Sequence, residues 1–175
     1  QVRRRVDAAA VEFEYVGLHH LSWVRGVAVD GVDRTAEVLA GLRQRVAERA
    51  DRGWGVGVHR YTLAAHAPWM DPQVTELTLL ISHQDQVTQL PKGATVIASS
   101  DFCPNAAYHV GDQVLCFQGH PEFFHDYSRD LLVLRRHAYE SSLYQSAIDS
   151  LDQAHQGSAV AEWMMRFVAH KPETV

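Results

Sequence analysis

Cysteine is scarce in this 175-residue chain: Cys103 and Cys116 are the only two, each set among apolar neighbours. Two such thiols suit a reducing compartment, as buried free sulfurs, better than a disulfide framework. No apolar stretch approaches the roughly 20 residues of a spanning helix, and the N-terminus lacks the apolar run of a secretory signal. A cytoplasmic protein with no membrane partner is the expectation. Neither sign of charge dominates, since 16 Lys and Arg intermix with 21 Asp and Glu for a net charge of -5. No broad electrostatic footprint for nucleic acid follows. Repeats and low-complexity segments are also missing. What is present is 46% hydrophobic residues in a length suited to one globular core. The chain opens at Gln1 instead of methionine, which admits a fragment, a processed product or an artificial sequence.

Apolar Val11, Phe13 and Tyr15 alternate with Glu12 and Glu14, the period of a strand with one wet face. A second β-prone segment, 23–29, runs into Asp30-Gly31, which favours a tight hairpin turn. Val38, Leu39, Leu42 and Val46 recur at helical spacing and predict a helix over 35–50. Beyond Gly53 the spacing predicts strands at 56–63, 76–82, 95–99, 106–110 and 113–118, with turn residues between them. Two of these, around Leu77–Ile81 and Val114–Phe117, are almost wholly apolar and predict strands covered on both faces, hence central. The tail turns helical over 128–151 and again over 158–169, where Val160, Trp163, Met164, Phe167 and Val168 form one stripe.

The sharpest chemical feature is Val114-Leu115-Cys116-Phe117-Gln118-Gly119-His120-Pro121-Glu122-Phe123. A buried strand there delivers a histidine and a glutamate just past its carboxyl end, the edge where open α/β sheets place active sites. Proline between them fixes the backbone, so the Glu122 carboxylate could accept the His120 imidazole proton and orient the ring as a general base. The same pattern also admits a histidine at a strand end beside a surface glutamate.

Three segments in order, Gly53-Trp54-Gly55-Val56-Gly57-Val58-His59-Arg60-Tyr61, Ser82-His83-Gln84-Asp85-Gln86-Val87 and Gly119-His120-Pro121-Glu122-Phe123, resemble the class I glutamine amidotransferases, especially those similar to the amidotransferase half of GMP synthase. The resemblance runs from about residue 52 to the C-terminus. It implies an α/β fold, a mixed sheet with flanking helices forming part of a flavodoxin-like amidotransferase domain. It also implies a Cys-His-Glu triad that frees ammonia from glutamine through a thioester. By motif match His120 resembles the base and Glu122 its orienting partner. Ser82 and His83 match a loop beside the glutamine site and so take a substrate-side role, with a simple turn ending a strand as the alternative. The family's nucleophile sits in a glycine-flanked elbow upstream of the matched segment, and these residues contain no such elbow. Cys103 follows the Ser82-His83 loop and Cys116 lies within a strand, so neither stands where an activated thiolate belongs.

The first fifty residues differ. Tyr15-Val16-Gly17-Leu18-His19-His20-Leu21-Ser22-Trp23-Val24 is similar to the NAD-dependent phospho-glycosidases, in which the position of His20 is a metal ligand and that of His19 an asparagine. The cysteine ligand and glycine-rich dinucleotide turn of that family are absent, so His20 is a weak metal candidate and no cofactor is expected. Two unlike resemblances divide the chain into residues 1–51 and 52–175 and suggest a fused sequence. Three functions stand as expectations: an amidotransferase-like domain silent in isolation, a non-catalytic or artificial scaffold, and a fragment of an NAD- and metal-dependent 6-phospho-glycosidase. The partners implied are glutamine and an ammonia-accepting synthase domain. An uncovered edge of the central sheet would call for cover by the 11–29 strands or by a second copy of the chain, a homodimer.

Overall fold

The computed structural model describes residues 52–169 throughout and, upstream, the backbone of five short strands. These are β1 (Val11–Tyr15), β2 (Leu21–Arg25), β3 (Ala28–Val29), β4 (Val32–Asp33) and β5 (Glu48–Arg49). The candidate ligand His20, with His19, lies outside the described residues. So does most of the helix expected over 35–50. Its end is a correction: Glu48–Arg49 is extended and pairs with β8 (Asp85–Gln86), because the backbone there completes a ladder instead of a helical turn. β3 and β4 pair antiparallel on either side of Asp30-Gly31, as the turn dipeptide predicts.

The main sheet has seven strands in the order β1-β2-β11-β10-β9-β6-β7. Its downstream members are β6 (Gly55–Leu63), β7 (Leu77–His83), β9 (Ala94–Ser99), β10 (Ala107–Val110) and β11 (Val114–Phe117). Each pairing among them is antiparallel. With the helices that follow, the architecture is the α/β sheet with flanking helices expected from the sequence. β2 lies along β11, so the N-terminal strands do extend the sheet on that side.

Both apolar runs are buried on both faces, yet they occupy different places. β11 is interior, between β2 and β10. β7 is buried at all seven positions but stands at the end of the ladder, a difference that burial pattern alone does not reveal. Its faces are covered by separate layers. Leu77, Leu79 and Ile81 pack with Tyr61, Trp163 and Phe167 on one side. Leu80 packs with Val56, Leu132, Tyr139 and Ala147 on the other. Alternation along the strand sends successive side chains to opposite layers.

The outer edge of β7 is satisfied by two short contacts instead of a strand. Gln156 exchanges bonds with Thr78, its N–H donating to Thr78 O at 2.9 Å and its side-chain oxygen accepting from Thr78 N. One bridge farther on, His120 N–H donates to Leu80 O at 2.8 Å. Helices α1 (His125–Leu134) and α2 (Ser141–Ser150) cover one face, and α3 (Gly157–Ala169) the other. α3 buries Val160, Trp163, Met164 and Phe167, the stripe read from the sequence, and Trp163 Nε1 donates to Pro72 O at 2.9 Å.

Candidate functional site

The segment after β11 leaves the sheet at Gly119, and its route requires a residue without a side chain. A Cβ at Gly119 would lie 2.9 Å from Leu79 Cβ, so the backbone is pressed against β7. That approach lets His120 bridge to Leu80, and the chain then turns at Pro121-Glu122, with Phe123 N–H donating back to His120 O at 3.2 Å. The turn brings two groups onto one imidazole.

His120 is 1% exposed. Its Nδ1 lies 2.9 Å from Glu122 Oε1, the geometry of an N–H donating to a carboxylate. Phe123 stacks on the ring with centroids 4.0 Å apart and planes 7° from parallel. With the proton on Nδ1, the lone pair falls to Nε2. That atom is buried and has no hydrogen-bond partner among the described residues. An oriented, desolvated imidazole with a basic nitrogen left over is the arrangement that takes a proton from a nucleophile and returns it to a leaving group.

Ser82 and His83, read together from the sequence, are separated by the strand itself. Ser82 shares the face of Leu80, the partner of His120, and Arg135 Nη1 donates to its hydroxyl at 3.4 Å. His83 points to the opposite face, its Nδ1 3.0 Å from Asp85 O and its ring 6.1 Å from that of Phe102. Adjacent residues of one strand cannot both face one site.

Cys103 is fully buried, and burial pushes its thiol up to about 12 despite the opposing effects of a backbone bond at Asn105, the charge of Arg52 and the amide of Gln118. Gln118 Nε2 donates to Cys103 Sγ at 3.1 Å and to Asn105 O at 2.8 Å, while Val87 N–H donates to Gln118 Oε1 at 3.0 Å. The sulfur is thus part of a buried polar joint tying β11 to two loops. Cys116 is buried with Val87, Tyr108 and Val114 in a separate cluster. Neither thiol is placed as an activated nucleophile.

Two contributors escaped the sequence reading. Gln118 interrupts an apolar run at a buried position, a signal that was legible. Phe123 was legible only as part of a motif, because stacking depends on the turn that folds it back. A groove of about 760 Å³ lined by Arg52, Arg60, Glu76 and Asp101 contains none of the candidate residues. Among the described residues no three His, Cys, Asp or Glu side chains are grouped to hold a metal ion, and no helix is long and apolar enough to cross a membrane.

No protein-family profile matches the chain. It is 36% identical to gamma-glutamyl peptidase 3 of Arabidopsis thaliana over 81 residues, 43% of this chain and 32% of that protein. It is 33% identical to the GMP synthase [glutamine-hydrolyzing] of Leifsonia xyli subsp. xyli over 105 residues, 57% of this chain and 21% of that protein. The chain therefore spans a third or less of the length of these two curated relatives. A glutamine amidotransferase from Thermotoga maritima superposes with a TM-score of 0.59 at 14% identity, over 76% of this chain and 59% of the other. With the sequence likeness and the shared fold pointing the same way, the chain carries a class I glutamine amidotransferase-like domain.

Proposed function

We propose that His120 and Glu122 are the base and its orienting carboxylate of a glutamine amidotransferase-type site, acting on the γ-carboxamide of glutamine or a γ-glutamyl compound. The observation that carries this is the His120 Nδ1 to Glu122 Oε1 contact of 2.9 Å, which leaves the buried Nε2 as the basic nitrogen. A thiol from outside these 175 residues supplies the nucleophile. Its proton passes to His120 Nε2 as sulfur attacks the amide carbon; the C–N bond breaks, the proton leaves on ammonia, and water then hydrolyses the thioester. The ammonia passes to a synthase domain or subunit. Ser82, on the His120 side of β7, takes the substrate-side role, and His83 acts through the loop that follows.

On this reading residues 52–175 are the portion bearing the base, and 1–51 a segment of other origin joined to it. The protein works in the cytoplasm, alone or as a homodimer, and is catalytically silent by itself. A non-catalytic scaffold is the second reading, favoured by the burial of both cysteines. The glycosidase reading rests on the Tyr15–Val24 motif alone.

A small thiol added in solution tests the site without a protein nucleophile. Ammonia release from glutamine should rise with thiol concentration, disappear in His120→Ala and fall about 10–100-fold in Glu122→Gln, the general-base contribution being of that order or greater. Equal rates in all three proteins would select the scaffold.

A further inference from the structure

We infer that Phe123 is a positioning residue for His120: its ring holds the imidazole plane, so that Nε2 keeps one direction. The inference rests on His120 as the base of the proposed site and names the residue that completes its orientation. A hydrogen bond from Nδ1 to Glu122 Oε1 fixes where that nitrogen points. It leaves the ring free to rock about the N–H to O axis, a motion that swings Nε2 out of line. The parallel Phe123 ring at 4.0 Å closes that freedom, because tilting the imidazole drives one edge into the aromatic face.

Phe123 is itself held. Tyr127 meets it edge to face, with centroids 4.7 Å apart and planes at 71°. Tyr127 lies in the first turn of α1, and Ser128 N–H donates to Phe124 O at 2.9 Å as that turn begins. The helix therefore starts where it must to brace the stacked ring. The turn at Pro121-Glu122 brings Phe123 back to the imidazole, and Gly157 allows α3 to approach Pro121 O, a space that a Cβ would fill.

The test is NMR relaxation of the His120 imidazole in the full chain, comparing the unaltered protein with Phe123→Leu and Phe123→Tyr. Leucine keeps the apolar cover and removes the flat aromatic face, whereas tyrosine keeps the stack. The Leu variant should lose the rigid order of the His120 ring, read as a lowered ring order parameter, while the Tyr variant keeps it. An unchanged order parameter in the Leu variant, or an equal fall in the Leu and Tyr variants, overturns the assignment and leaves Phe123 as packing only. Neither glutamine nor thiol enters this measurement, so its failure is distinct from failure of the thiol-dependent turnover that tests the function.

Discussion

A thiol attacks as its anion, so the state of Cys103 decides whether this chain holds its own nucleophile. With its titration pushed to about 12 by burial, roughly one thiolate in ten thousand is present at pH 8. The neighbours that stabilise the anion, Gln118 first among the side-chain bonds, are too few to offset the lost solvent. Native protein at pH 8 should therefore resist a thiol-specific alkylating reagent for hours, with both sulfurs modified within minutes once urea is added; mass spectrometry of the two samples reads this directly. Rapid labelling of Cys103 in the native state would reopen it as the nucleophile. The contact between His120 and Glu122 was legible because proline between them limits their backbone and two residues suffice for it. Residue-level reading could not split Ser82 from His83. Their opposite faces follow from strand alternation, but which face holds the site depends on Gly119 approaching β7 at Leu79 and on the bridge from His120 to Leu80, both long-range facts.

At the level of elements, the five downstream strands fall close to their predicted spans because Gly, Pro and Asp clusters mark their ends. The helical tail was less legible. One run over 128–151 is in fact α1, a 3₁₀ turn at Arg136–Ala138 and α2, although no glycine or proline interrupts it. The break is tertiary. Tyr139 is extended and buried edge-on against Trp54, 5.4 Å between centroids, while Arg136 clamps the turn by donating to Tyr139 O and Ser141 Oγ. Leu134, at the end of α1, is 73% exposed. The break allows both helices to lie on the same face of β6 and β7, and α2 arrives so close that Ser150 Oγ accepts from Val58 N–H at 2.9 Å. Gly57 makes room for this contact: its φ is +88°, and a Cβ would strike Ser150 Oγ and sit 3.0 Å from Ala147 Cα. Gly57→Ala should cost about 3 kcal/mol, part backbone strain and part overlap. A urea transition displaced by less than a third of that would mean that α2 shifts freely on the sheet.

Across the whole molecule, two histidines couple stability to pH. Burial lowers His59, packed 5.2 Å from the Phe102 ring, against the weaker opposing effect of a backbone bond at Val56. Burial also lowers His155, aided by the neighbouring charge of His125, whose ring lies 4.9 Å away. His155 Nδ1 accepts from Gly157 N–H at 3.1 Å at the start of α3, and a proton there would remove that acceptor and place positive charge at the positive end of the helix. In the unfolded chain both side chains take up protons near pH 6.5, whereas the folded protein resists until lower pH. The stability they confer is therefore complete above pH 6.5 and is lost progressively as pH falls through their depressed folded values. Carboxylates titrate mostly below this window. Urea unfolding midpoints measured from pH 7.5 down to 5 should decline, and the double variant His59→Gln, His155→Gln should decline less steeply even where its absolute stability is lower. The slope, not the height, carries the inference, because lost packing lowers the curve at every pH while lost proton linkage flattens it. Parallel slopes in the two proteins would show that neither histidine is held neutral by the fold, and that the contact between the start of α3 and Pro121 does not depend on the charge of His155.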